Sequence, residues 1–160
     1  MPYALTKKEI KQEIVKCGRS PSYFLKNYAK IRHPEKGLIP FKTFDYQDDL
    51  LDDFRDHRFN IILKARQLGI STIAAGYVIW LMNFHRNKEI LVVATKQETA
   101  KNLVTKSKFM YKSLPKWLQI SGIEADNKTS LELKNGSIIK ASSTSSDSGR
   151  SESLSLLIID

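Results

Sequence analysis

Apolar positions recur along this chain at two spacings, and the changes of spacing mark out its elements. Residues 5–17 place Ile10, Ile14 and Val15 on one side of a short, basic amphipathic helix. Ser20-Pro21 opens a second helix, with Ser20 as its cap. Tyr23, Phe24, Tyr28 and Ile31 follow at helical spacing and read as core packing. Pro34, Gly37 and Pro40 punctuate His33 to Pro40, which predicts an irregular connector. In Tyr46 to Phe54 the residues Leu50, Leu51 and Phe54 share one helical face, and the aspartates form a solvated face opposite.

Beyond this point the alternation becomes regular. Phe59 to Leu63 is strand-like. Ser71 to Phe84 is helical, with Ala74, Ala75, Val78, Ile79 and Met82 near a period of 3.6. Glu89 to Ala94 is a second apolar strand. Lys96 to Leu114 is a helix with Ala100, Leu103, Val104, Ser107 and Met110 as its face. Leu131 to Leu133 and Ser137 to Lys140 form a hairpin around Asn135-Gly136, a strong turn signal. Ser142 to Ser153 is polar and serine-rich, and Leu154 to Asp160 is a short buried strand. Strand, helix, strand, helix with apolar strands predicts an α/β fold, its parallel sheet covered on both faces and an antiparallel hairpin inserted before the last strand. No internal repeat is visible.

Composition narrows this picture. The 160 residues, 41% hydrophobic and 27% charged, suffice for one domain with a real core. The net charge of +9 favours an anionic partner such as nucleic acid or a nucleotide, or simply a soluble basic surface. Within residues 1–42 the excess is ten basic residues to three acidic. A single cysteine, Cys17, excludes a disulfide framework and a cysteine-based zinc site. His33, His57 and His85 lack metal-ligand spacing and read as surface or satisfied histidines. No apolar run approaches a membrane span and no signal core is present, so a cytosolic protein is expected.

The candidate chemistry lies in Lys64-Ala65-Arg66-Gln67-Leu68-Gly69-Ile70-Ser71-Thr72. Against the phosphate-loop pattern G-x-x-x-x-G-K-[ST], Gly69 and Ser71 match, Lys64 stands at the first glycine, and Ile70 takes the lysine position. A strand before it and a helix after it would bring backbone N–H groups and a helix N-terminus to one point, as phosphate binding needs. Lys64 can fold its amine back toward phosphates, Arg66 offers a bidentate fork, and the Ser71 hydroxyl can hold Mg²⁺. The alternative is an ordinary strand-to-helix turn with Ser71 as an N-cap. Downstream, Leu156-Leu157-Ile158-Ile159-Asp160 is an apolar strand ending in a carboxylate, and in phosphate-loop ATPases such an aspartate coordinates Mg²⁺. Gln47 carries an amide able to donate to and accept from an adenine edge, and Arg150 could reach a phosphate. Taken alone, each of these two is more often a surface residue.

Taken together these residues resemble the large terminase of tailed bacteriophages. The resemblance runs from Tyr23-Phe24-Leu25-Lys26-Asn27-Tyr28 through His33-Pro34, Lys36 to Phe41 and Phe44-Asp45-Tyr46-Gln47. It continues through Ala65 to Thr72, Leu114 to Leu118, Leu133 to Ser137 and Asp147 to Ser151, and reaches Leu157-Ile158-Ile159-Asp160. It implies a phosphate-loop ATPase of the additional-strand type, a mostly parallel sheet flanked by helices, continuing into a ribonuclease-H-like nuclease domain. On that basis residues 1–42 are a basic helical region and connector, and 43–160 a partial ATPase domain cut after the Walker B strand, without the nuclease domain. The resemblance further implies ATP and Mg²⁺ as cofactors. Gln47 would contact adenine, and Lys64 to Thr72 would hold the triphosphate. Ser71 and Asp160 would hold the metal, Arg66 would act at the phosphates, and Arg150 would be an arginine finger reaching a neighbouring subunit. The implied partners are double-stranded DNA, a portal protein, a small terminase subunit and further copies in a ring, in the host cytoplasm and transiently at the prohead portal. The family's glutamate after the aspartate is missing, so this chain alone is expected to be an inactive ATPase fragment. Another helicase-related ATPase, or a non-enzymatic basic nucleic-acid-binding module, remain as alternatives.

Overall fold

A computed structural model describes residues 5–33, 35–143 and 153–160. Helix α1 (Lys7–Arg19) starts at a capping box, in which the Thr6 side chain accepts from the Glu9 N–H and the Glu9 carboxylate accepts from the Thr6 N–H. Helix α2 (Pro21–Tyr28) begins as the sequence predicts, with Ser20 capping Tyr23 N–H and Pro21 at the first helical position. The expected irregular connector is instead a two-stranded hairpin, β1 (Lys30–His33) with β2 (Gly37–Pro40). Gly37 takes φ +67° and the His33 ring nitrogen accepts from Glu35 and Lys36 N–H, so the chain turns back within a ladder, with Pro40 in its second strand.

Helix α3 (Asp45–Asp56) buries Leu51 and half-buries Leu50 and Phe54. Its aspartate face is not wholly solvated. Asp48 accepts from the Ser22 and Thr43 hydroxyls and pairs with Lys26, tying α3 to α2, and its carboxyl sits below the usual range although burial opposes this. Helix α4 (Ile70–Phe84) is buried around almost its whole circumference. Helix α5 (Gln97–Ser113) presents the five face residues expected of it, all buried. A 3₁₀ turn, Lys116–Leu118, follows.

The sheet is five-stranded and mixed. Strand β3 (Glu89–Ala94) lies between β6 (Ile138–Ser143) and β7 (Leu156–Ile159), parallel to both. Antiparallel β5 (Ser130–Leu133) and β4 (Ile123–Asn127) extend it beyond β6, making a three-strand meander where the sequence predicted a hairpin. The β4 stretch is short, largely polar and half-exposed, an edge strand whose alternation runs only from Ile123 to Asp126. Helix α5 lies against β3, β5 and β6 and packs on α4. Ile90, Val92, Ala94, Leu131, Leu133 and Ile139 meet it from the sheet.

Two sequence expectations fail at one edge. Phe59 to Leu63 is extended but pairs with no strand among the described residues, and Ile61 and Leu63 are fully exposed. Strand β7 is an edge strand, not a buried one: Leu156 and Ile158 face the core while Leu157 and Ile159 are 49% and 76% exposed. Its apolar composition suits burial on both faces, and among the described residues only one face and one edge are covered.

The basic N-terminal region shares one core with the rest. Phe24 packs edge-to-face on Phe84 at 5.4 Å, and Trp80 Nε1 donates to the Cys17 carbonyl at 2.9 Å. Leu25 lies so close to Gly76 that a Cβ there would stand 2.8 Å from both its methyl carbons.

Candidate phosphate-binding loop

Residues 65–69 form the turn between the extended segment and α4. The sign of φ alternates through it, positive at Gln67 (66°) and Gly69 (73°), negative at Arg66, Leu68 and Ile70. Alternation of this kind lets successive backbone N–H groups converge on one concave point, a nest that binds anions. Gly69 supplies its left-handed conformation without steric cost, whereas Gln67 adopts it against a penalty of about 1–2 kcal/mol.

The loop delivers the chain into α4 with Gly69 as N-cap, no side-chain cap and no acidic residue in the first turn. The helix therefore keeps its positive end toward the loop without a carboxylate to satisfy it. The N-cap expected at Ser71 in the ordinary-turn alternative falls at Gly69 instead, and Ser71 is inside the helix. Its hydroxyl points across to the sheet and donates to Asp160 Oδ2 at 3.1 Å. The other oxygen of the same carboxylate lies 3.6 Å from Lys64 Nζ.

Lys64, Ser71 and Asp160 thus meet at one place, although 89 residues separate the last two. The sheet does this: β7 runs parallel beside β3, and the backbone N–H of Asp160 is held by the Val93 carbonyl at 3.0 Å. All three residues line a cleft of about 210 Å³ between the extended segment, α4 and β7. A lysine, a hydroxyl and a carboxylate are suitable partners for a phosphate chain with a hard divalent cation, the first contacting phosphate, the latter two offering oxygen ligands. Among the described residues there is no group of three or more His, Cys, Asp or Glu able to hold a metal alone. Any ion here would share its coordination with another ligand.

The remaining predicted residues fall into three groups. Ala65, Arg66, Leu68 and Thr72 belong to the loop and the first helical turn. Arg66 is exposed, with no carboxylate partner among the described residues. Gln47 does reach the loop, but at 3% exposure with its side chain bonded to protein groups. Arg150 lies outside the described residues.

Sequence reasoning missed Arg58 and Asn60, which line the cleft with Ile62 and Lys64. The signal was available: positions 58, 60, 62 and 64 share one face of an extended segment. Their charge and polarity interrupt the apolar face expected of a buried strand, and Arg58 brings a guanidinium to the cleft wall.

No family model matches this sequence. Among solved structures, the crystal structure of the HK97 bacteriophage large terminase matches with a TM-score of 0.69 at 22% identity, over 89% of this chain and 30% of that one. The described fold is therefore shared with that protein, and the present chain spans 30% of its length.

Proposed function

We propose that this chain is the ATP-binding part of a viral DNA-packaging motor of the large-terminase kind, with the core of a phosphate-loop ATPase. The observation that carries the reading is the convergence of Lys64, Ser71 and Asp160 beside an uncapped helix N-terminus and a nest of backbone N–H groups. The likeness of fold to a large terminase supports it.

In this reading the loop N–H groups and the α4 N-terminus cradle the triphosphate. Lys64 turns from Asp160 to the phosphates, and exposed Arg66 forks onto their outer oxygens. Ser71 and Asp160 fit Mg²⁺, having hard oxygen donors at 3.1 Å from each other, and would hold the ion, which would supply charge neutralisation at the phosphates. Asp160 is the lone carboxylate among the described residues lining the cleft. With no second acid among the described residues there to orient an attacking water, this reading expects slow hydrolysis or none. In the complete motor ATP hydrolysis would drive double-stranded DNA into the prohead. The grip would be on backbone charge, which the +9 chain suits. Arg150 from a neighbouring copy in a ring would complete the phosphate contacts, with the portal protein and a small terminase subunit as further partners.

Titration calorimetry with Mg²⁺-ATP tests the reading. The chain binds, and Lys64→Ala weakens binding by about tenfold or more, the worth of one charge-assisted contact. Equal affinity in the variant removes Lys64 from the site, and a turnover of several per second refutes the inactivity.

A further inference from the structure

Gln47 is the polar side chain most thoroughly committed to the loop. It is 3% exposed. Its Nε2 donates to the Leu68 carbonyl at 3.0 Å and to the Tyr46 hydroxyl at 3.3 Å, and its Oε1 accepts from Phe44 N–H at 3.2 Å. The Tyr46 hydroxyl in turn donates to the same Leu68 carbonyl at 2.9 Å. Both amide protons are spent, and the carbonyl of one loop residue takes two donors.

The direction of that carbonyl matters because of the peptide plane. Leu68 C=O and Gly69 N–H belong to one planar trans peptide and point in opposite directions. Pulling the carbonyl down onto Tyr46 and Gln47 turns the Gly69 N–H away from them, out of the loop. Gly69 is the residue whose left-handed φ continues the nest into the helix. The contact is close: a Cβ on Gly69 would stand 2.8 Å from Gln47 Nε2. The glycine is thus required by the glutamine as well as by its own backbone.

We propose that Gln47, with Tyr46, is a positioning residue that fixes the Leu68–Gly69 peptide for anion binding, and that it does not read the base. The proposal rests on the nucleotide reading of the site and departs from the adenine contact that the resemblance implies. To present its amide to a base edge, Gln47 would have to break bonds on both ends of its side chain and leave a buried position.

The test compares binding of ATP, GTP and inorganic tripolyphosphate, with amide exchange at Thr72 and Ile73, whose N–H groups bond the Gly69 carbonyl. Gln47→Ala weakens all three ligands by about the same factor, ~3- to 10-fold for one hydrogen bond, and leaves the ATP-to-GTP ratio unchanged. Thr72 and Ile73 exchange faster. Tyr46→Phe gives a smaller loss of the same kind, and carries the test if Gln47→Ala fails to fold. A loss confined to ATP makes Gln47 a base reader and overturns the proposal, as do unchanged affinities with unchanged exchange. If the parent chain binds no triphosphate, the nucleotide reading falls, and exchange alone decides the staple: faster supports it, unchanged overturns it.

Discussion

The two ends of α4 obey opposite rules. At its C-terminal end side chains from other segments meet its polar groups. Asn135 Nδ2 donates to the carbonyls of Met82 and His85, Ser137 adds a hydroxyl to His85, and Asn83 bridges to Leu118 and Ile120. Around them pack Phe24, Phe84, Trp80 and Leu25. At its N-terminal end the helix has no side-chain cap, a lysine and a hydroxyl share one carboxylate, and apolar side chains at 59, 61, 63, 157 and 159 face outward. The closed end provides the stability that lets the open end keep its donors uncommitted to the protein. Functional loops are drawn from the weakly packed parts of a fold for this reason.

The contrast breaks first on the same substitution made at each end. Ile79→Ala, in a fully buried position, costs about 2–5 kcal/mol in denaturant unfolding, while Ile61→Ala, fully exposed, stays within about 0.5 kcal/mol. Comparable losses at both sites would show that the extended segment is packed in solution and the open end is not open. Gly76→Ala is the next largest. The added methyl meets Leu25, which is fully buried and cannot swing aside, and this outweighs the ~1 kcal/mol helix preference for alanine, for a net loss of about 1–2 kcal/mol. A stabilised variant would mean that α2 can shift on α4.

The smallest effect is one of pH. Glu13 accepts from Lys16 and from the Tyr28 and Tyr23 hydroxyls, and these bonds lower its carboxyl pKa to about 2. A depressed carboxylate contributes stability that is present above its unfolded value near 4.5 and is lost as pH falls toward about 2. The α1–α2 contact therefore loosens across that window. Glu13→Gln flattens the dependence; an unaltered acid transition would place the sensitive group elsewhere.

The elements packed on α4 and α5 were readable because their apolar residues repeat at one period over many positions. The five predicted face residues of α5, all buried, and the five buried residues of β3 are cases where pattern and packing agree. The open edge was misread for a physical reason. Phe59 to Leu63 and Leu156 to Ile159 carry the composition of buried strands, and composition does not say whether the covering neighbour lies within the chain. The loop was legible as a turn, and Lys64, Ser71 and Asp160, all quoted from the sequence, meet at one place. What remained hidden was local: that Gly69 rather than Ser71 ends the turn, and that Gln47 spends its amide on the Leu68 carbonyl. Both depend on backbone dihedrals and on a contact between segments 21 residues apart.

The latch between Trp80 and Cys17 has an optical consequence. The chain's two indoles, Trp80 and Trp117, both sit at the closed end, the first 4% exposed beneath α1 and the second edge-to-face on Tyr28 at 5.2 Å. Intrinsic tryptophan emission is thus a private gauge of the α1–α2 clasp, shifting to the red when those helices lift.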